Sequence, residues 1–473
     1  MPSNPDGRTA PLIVAVSLFM ENMDSTVIAT SLPAIAHDTG TNPLALKLAV
    51  TSYLLSLAIF IPASGWTADR FGARNVFRLA IGVFVLGSIG CALSHSLENF
   101  VAARILQGIG GAMMTPVGRL IVVRSIDKRL LLNAMSLLTI PALIGPICGP
   151  PLGGFITTYA SWHWIFIINV PIGLVGIALA TRFIPDVRTE YPYPFDLVGF
   201  ILSGLAIGGL AFGLSVMGLA FLPDWVVAAL LGVGAVCAVA YVIYARSKPA
   251  PILDLKLLAL PTFRASILGG FMFRLGVGAL PFLLPLLFQL GFGLSPFQSG
   301  LITFTSALGS MFMKAAATTI IKRFGYRNVL TYNALVSAVF IGACAIFSSG
   351  IPFAAMIAIL LVGGFFRSLQ FTSVNTIAYA EIEPPVMSRA TSMVAAFQQL
   401  SLSTGVAVGA LVVELTLRLK HSTAMGTADF PPAFIAIALL SATAALIFMQ
   451  LPPEAGAELS GRAAAAPAAP QTP

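Results

Sequence analysis

A seven-residue string occurs twice in this chain with one residue changed, Ala73 against Tyr326. Arg70-Phe71-Gly72-Ala73-Arg74-Asn75-Val76 returns as Arg323-Phe324-Gly325-Tyr326-Arg327-Asn328-Val329. Each copy is a basic turn between two long apolar runs. A duplicated membrane hairpin implies a chain built from two related halves, an architecture in which the site lies between the repeats.

The composition agrees. Of the residues, 57% are hydrophobic and 9% charged, whereas a soluble domain carries about 25% charge. The chain is therefore expected to be an all-α, many-pass membrane protein. Its net charge of +8 does not point to nucleic acid, because the basic residues sit in short loops beside apolar spans. Cys91, Cys148, Cys237 and Cys344 lie far apart in apolar stretches, and His37, His95, His163 and His421 fall near span ends. No metal and no cofactor is expected from such spacing. The absence of HExxH, GxSxG and GxxxxGK[ST] strings argues against an enzyme and against direct use of ATP.

About 20 apolar residues cross a bilayer as a helix. Spans are expected at 11–33, 47–66, 76–95, 99–122, 131–157, 164–183, 197–218, 225–245, 263–290, 297–320, 328–348, 352–375, 390–415 and 431–451. The repeated turn follows the second and the tenth, so fourteen spans divide as six, two and six. The expected domains are a first bundle at 1–190, an inserted pair at 191–248, a second bundle at 249–452 and a disordered cytoplasmic tail at 453–473. With both termini inside, eighteen Lys and Arg fall in cytoplasmic segments. Only Lys47, Arg418 and Lys420 fall outside, as the positive-inside rule requires.

Charges inside the spans mark the candidate site. Glu21, Asp24, Arg104, Arg119, Arg274, Lys314 and Arg367 would together oppose insertion by on the order of 20 kcal/mol if they faced lipid. They must face protein or a water-filled cavity. Glu21 and Asp24 are three residues apart on one helix face, and a carboxylate whose charge is balanced between burial and nearby arginines suits a proton site. Arg119, Arg274, Lys314 and Arg367, with Gln370 and Gln398, are candidates for a positive cavity that favours anionic substrates. Gln107 reads as a helix-to-helix hydrogen-bonding residue. Gly145, Pro146, Gly149, Pro150, Gly153 and Gly154 crowd the fifth span, where they can kink the helix and allow close packing.

These strings resemble the major facilitator superfamily, and within it the fourteen-helix drug:proton antiporter group, in particular its bacterial MdtD/HsrA-like members. The resemblance rests on Gly65-Trp66-Thr67-Ala68-Asp69-Arg70-Phe71-Gly72-Ala73-Arg74, on Arg104-Ile105-Leu106-Gln107-Gly108-Ile109-Gly110-Gly111-Ala112, and on the Gly145–Gly154 stretch. It rests also on Met23-Asp24-Ser25-Thr26-Val27-Ile28 and on Trp162-His163-Trp164-Ile165-Phe166-Ile167-Ile168-Asn169-Val170-Pro171-Ile172-Gly173. It implies a proton-coupled exporter of small amphiphilic or organic-anion compounds. The alternative it leaves is a symporter or exporter dedicated to a citrate-like metabolite. It implies a latch of Gly65, Asp69, Arg70, Gly72 and Arg74, and a place for Arg104 with Asp24 and Glu21 in proton coupling. Ala29 stands where the group often has asparagine. The expected setting is a bacterial inner membrane. The expected partners are a small-molecule substrate and lipid, with no nucleic acid, in a monomer that can serve a tripartite efflux assembly.

Overall fold

A computed structural model describes residues 9–125, 131–185, 194–219, 222–348, 350–383, 386–421 and 425–460. Among these residues twelve helices are long and apolar enough to cross a membrane. We label them in chain order together with two further helices of 29 residues each, which brings the set to fourteen. The first half holds α1 (Thr9–Asp38), α2 (Pro43–Phe71), α3 (Ala73–Ala92), α4 (Leu97–Ser125), α5 (Leu131–Tyr159) and α6 (Trp164–Phe183). The inserted pair is α7 (Leu197–Val216) and α8 (Asp224–Ser247). The second half holds α9 (Pro261–Gly291), α10 (Pro296–Phe324), α11 (Tyr326–Ile346), α12 (Phe353–Ile377), α13 (Met387–Leu419) and α14 (Thr427–Phe448).

The two halves repeat one packing scheme. α1 lies on α5, α3 on α4, α2 on α4 and α3 on α6. Eight helices later α9 lies on α13, α11 on α12, α10 on α12 and α11 on α14. The contacts between halves obey the same rule: α2 meets α13, and α10 meets α5. The inserted pair packs on itself and against α2 and α13.

The duplicated string explains itself locally. Gly72 and Gly325 adopt φ of 89° and 77°, a region where a Cβ is strained, so each tight turn between helices needs glycine. The arginine two residues later does the same work twice. Arg74 Nη1 donates to the carbonyl of Ile184 at 3.4 Å, and Arg327 Nη2 donates to that of Met449 at 3.1 Å. Both carbonyls cap the last helix of their half, where unpaired carbonyls and the helix dipole favour a cation.

At the end opposite these turns the halves are sealed. A Cβ on Gly154 would lie 2.3 Å from the Pro296 carbonyl oxygen, and one on Gly300 2.3 Å from that of Pro150. Gln289 Nε2 donates to Thr30 O at 2.9 Å, and the Phe297 amide donates to Thr158 Oγ1 at 3.1 Å. Phe297 packs edge to face on Phe155 and Tyr159 there. The stretch 246–262 is tied to neighbouring elements. Tyr241 Oη donates to Leu253 O at 2.7 Å, and Asp254 pairs with Arg389 on α13 at 2.8 Å. Of the expected tail, Ala457–Ser460 form a helical turn, and residues 461–473 lie outside the described residues.

Candidate transport site

α1 carries both intramembrane acids, and the structure sends them to different partners. Asp24 turns into the first half. Its Oδ2 accepts from Arg104 Nη1 at 2.7 Å, and its Oδ1 accepts from Gln107 Nε2 at 2.9 Å and Asn169 Nδ2 at 2.8 Å. Ser88 Oγ accepts from Gln107 at 2.8 Å and Asn169 at 3.2 Å. Arg104 Nη1 also donates to Gln107 Oε1 at 2.5 Å, and its Nε to Ala49 O at 3.3 Å. The guanidinium lies 4.2 Å from the centre of the Tyr53 ring. Side chains of the ion pair are each 1% exposed. A pair this dry persists only when its remaining hydrogen-bonding capacity is filled, and here α1, α2, α3, α4 and α6 all contribute. Glu21 is also buried, and its Oε2 accepts from Thr115 Oγ1 of α4 at 2.7 Å. Neither acid lines the cavity between the halves.

That cavity has a volume of about 370 Å³ and is walled by α1, α5, α9, α10 and α12. Two of its side chains are charged, Lys314 and Arg367, and both are basic. Arg367 Nη2 donates to Ser306 Oγ at 2.5 Å, while its buried Nη1 meets no acceptor among the described residues. Among the described residues neither cation has a carboxylate partner. The wall is otherwise hydroxyl-bearing or apolar, and Ala29 and the ring of Phe371 belong to it.

The other expected cavity residues lie elsewhere. Arg274 is fully buried behind Phe371, with Nη2 donating to Asn375 Oδ1 at 2.7 Å. Gln370 faces α11, where it accepts from Asn333 Nδ2 and donates to Leu330 O, each at 2.9 Å. It ties helices together, because the polar face of α12 at that position turns inward to its own bundle. Arg119 is exposed and Gln398 half-buried, and neither borders the cavity.

The fifth-helix motif divides its labour by face. A Cβ on Gly145, Gly149 or Gly153 would come within 3.1, 2.0 or 2.4 Å of α1 atoms, so these glycines let α5 lie backbone to backbone on α1. Gly154 instead meets α10, and Pro146 and Pro150 line the cavity. At the basic turn, Asp69 Oδ1 accepts from Arg124 Nη2 on α4 at 2.7 Å. Arg70 is exposed, Arg74 is held by Ile184, and the surroundings of Gly65 are open. Asp69 thus has a partner in Arg124, which lies 55 residues away in sequence.

Several of these residues gave no local signal. Ser88 and Tyr53 acquire roles only by surrounding Asp24, and Asn169 is marked in the sequence only as a member of the Trp162–Gly173 string. Lys47, expected at the water interface, is fully buried and lies 3.6 Å from Glu414 of the second half.

Two six-helix halves that close on a basic cavity define a membrane transporter. The family model described as Major Facilitator Superfamily matches residues 14–197 and 266–472, and the chain belongs to that family. The unmatched stretch contains the inserted pair. A Salmonella paratyphi B protein described as "Putative multidrug resistance protein MdtD" is 39% identical over 449 residues, covering 93% of this chain and 94% of its own. A Shigella boydii protein of the same description is 38% identical with the same coverage. Among solved structures, a D-xylose–proton symporter aligns with a TM-score of 0.67 at 15% identity, over 95% of this chain and 98% of that one. The human organic anion transporter MFSD10 aligns with a TM-score of 0.62 at 15% identity, over 94% and 100%. These structural likenesses carry the fold.

Proposed function

We propose that this transporter exports small organic anions in exchange for protons. The observation that carries the reading is the cavity between the halves, whose charged side chains are both cations and, among the described residues, have no acidic partner. A low-dielectric cleft of one sign concentrates ligands of the opposite sign, and Lys314 and Arg367 both line this one. A lipophilic cation would meet repulsion in the same place.

Coupling is assigned to α1. Protonation of Asp24 would weaken its pairing with Arg104 and loosen a node shared by five helices, while Glu21 offers a second carboxyl close by. Taking the arginine-rich turns as cytoplasmic, the structure is closed outside, the state in which a substrate is loaded from the cell. Protons moving inward supply the driving force, including about 2.3 kcal/mol per charge per 100 mV. No cofactor is needed in this scheme, and the cytoplasmic membrane of a bacterium is the proposed setting.

The test is uptake of labelled small carboxylates into energised everted vesicles. Accumulation abolished by a protonophore, with alkalinisation of the lumen, is the expected result. Acidification of the lumen during uptake would indicate co-transport and overturn exchange. Unchanged accumulation in Lys314→Gln and Arg367→Gln would overturn the site.

A further inference from the structure

Arg274 is the strangest charge in the second half. Its side chain is completely buried, it makes no ion pair among the described residues, and its Nε has no hydrogen-bond partner. The protein makes room for it: a Cβ at Gly270 would lie 2.7 Å from Arg274 Nη1. A buried cation with neither counter-charge nor full hydrogen bonding is not a stabilising device. The guanidinium lies 5.5 Å from the centre of the Phe371 ring, and Phe371 is also part of the cavity wall that holds Arg367 and Lys314. One aromatic ring therefore separates a charged pocket from a hidden third cation. Asn375, one turn further along α12 and outside the cavity lining, accepts from the guanidinium at 2.7 Å.

We infer that Arg274 is a second anion anchor, screened by Phe371, and that the site selects substrates bearing two separated anionic groups. The inference rests on the reading of the cavity as an anion site. The first group sits between Lys314 and Arg367. Rotation of the Phe371 ring exposes Arg274 to the second, replacing a cation–π contact with a charge-assisted hydrogen bond, which is the stronger interaction. A monoanion gains nothing from that rotation and leaves the partition shut.

The test is binding of succinate and of butyrate, equal in carbon number, to the purified full-length protein by calorimetry. Succinate should bind about tenfold or more tightly than butyrate, a difference of about 1.4 kcal/mol. Arg274→Gln should erase that preference and leave butyrate within about twofold of its original affinity. Lys314→Gln and Arg367→Gln should weaken both ligands. A preference that survives Arg274→Gln, or an equal loss of both ligands, overturns the inference while leaving the anion site standing. Failure of both ligands to bind the unaltered protein overturns the inference together with the reading beneath it. If Arg274→Gln does not fold, Phe371→Ala decides the matter: it leaves Arg274 unscreened and should raise the succinate-to-butyrate ratio, and an unchanged ratio overturns the proposal.

Discussion

Asp24 and Arg104 are 80 positions apart in sequence and 2.7 Å apart in space. Removing one member of a dry, hydrogen-bonded ion pair leaves the other uncompensated, at about 3–5 kcal/mol. Asp24→Asn should therefore lower the thermal midpoint in detergent as well as abolish proton-driven transport. The double variant Asp24→Asn with Arg104→Gln separates the two effects. It should recover most of the lost stability, because no charge remains buried, yet stay inactive in a pH-gradient transport assay; recovery of transport would remove the pair from coupling. Gln370→Leu offers the opposite contrast. It removes the partner of one Asn333 N–H and of the Leu330 carbonyl, while the Asn333 bond to Phe366 O remains, at about 1–3 kcal/mol, so the midpoint should fall, whereas succinate affinity measured by calorimetry should hold. The sequence shows that such polar groups must hide from lipid, since the insertion penalty depends on residue type alone. It does not show which way each one hides. Lys314 and Arg367 reach the central cavity, while Arg274, Gln370 and Asp24 turn into their own bundles, and that choice depends on helix rotation set by distant partners.

Helices themselves were legible because a bilayer imposes a minimum apolar length. The span expected at 164–183 coincides with α6, and α11 was placed within two residues at each end. Boundaries drifted where a polar residue is buried by tertiary contact, as at Lys47 near the start of α2. The packing of α5 was half legible. Its glycines announced close contact, but only the structure separates the face on α1 from the face on α10. That separation is testable. Gly149→Val places atoms on Thr26, whose Oγ1 a bare Cβ would already approach to 2.0 Å. Such overpacking within one half costs about 1–3 kcal/mol and should show as a lowered thermal midpoint. Gly154→Val instead wedges α5 from α10, and the strain can be relieved by parting the halves. It should increase labelling of a cysteine introduced at Thr303 by an impermeant thiol reagent, in a background without the native cysteines, with little change in midpoint. Equal loss of stability in both variants would mean that α5 moves as part of one rigid body with α10.

At the scale of the whole molecule, two-fold repetition makes the two seams between halves related in position but not in chemistry. The α5–α10 seam closes by glycine and proline backbones. The α2–α13 seam closes at the same end by charge: Lys47 Nζ lies 3.6 Å from Glu414 Oε2, and Glu414 Oε1 accepts from Arg418 at 3.0 Å. The inserted pair reaches into this seam. The loop after α7 offers the Met217 carbonyl to Lys47 at 3.5 Å and the Gly218 carbonyl to Arg418. Gly218 has φ of 86°, and a Cβ there would lie 2.8 Å from Glu414 Oε2, so only glycine seats the loop against the carboxylate. One node, buried at Lys47 and open to solvent at Arg418, thus joins the first half, the second half and the insertion. Opening this end must pull Lys47 from Glu414 and at least one of the two cations from the loop, so the inserted helices add contacts that hold this end shut. Glu414→Gln should shift the equilibrium toward the state open at this end by roughly tenfold, about 1.4 kcal/mol. Spin labels at positions 41 and 425 should report a larger population of long distances in that variant and in Lys47→Gln. Gly218→Ala should do the same without altering any charge, because its methyl group displaces the loop. Distance distributions that match the unaltered protein in all three would show that the glycine-lined seam alone holds the closed end.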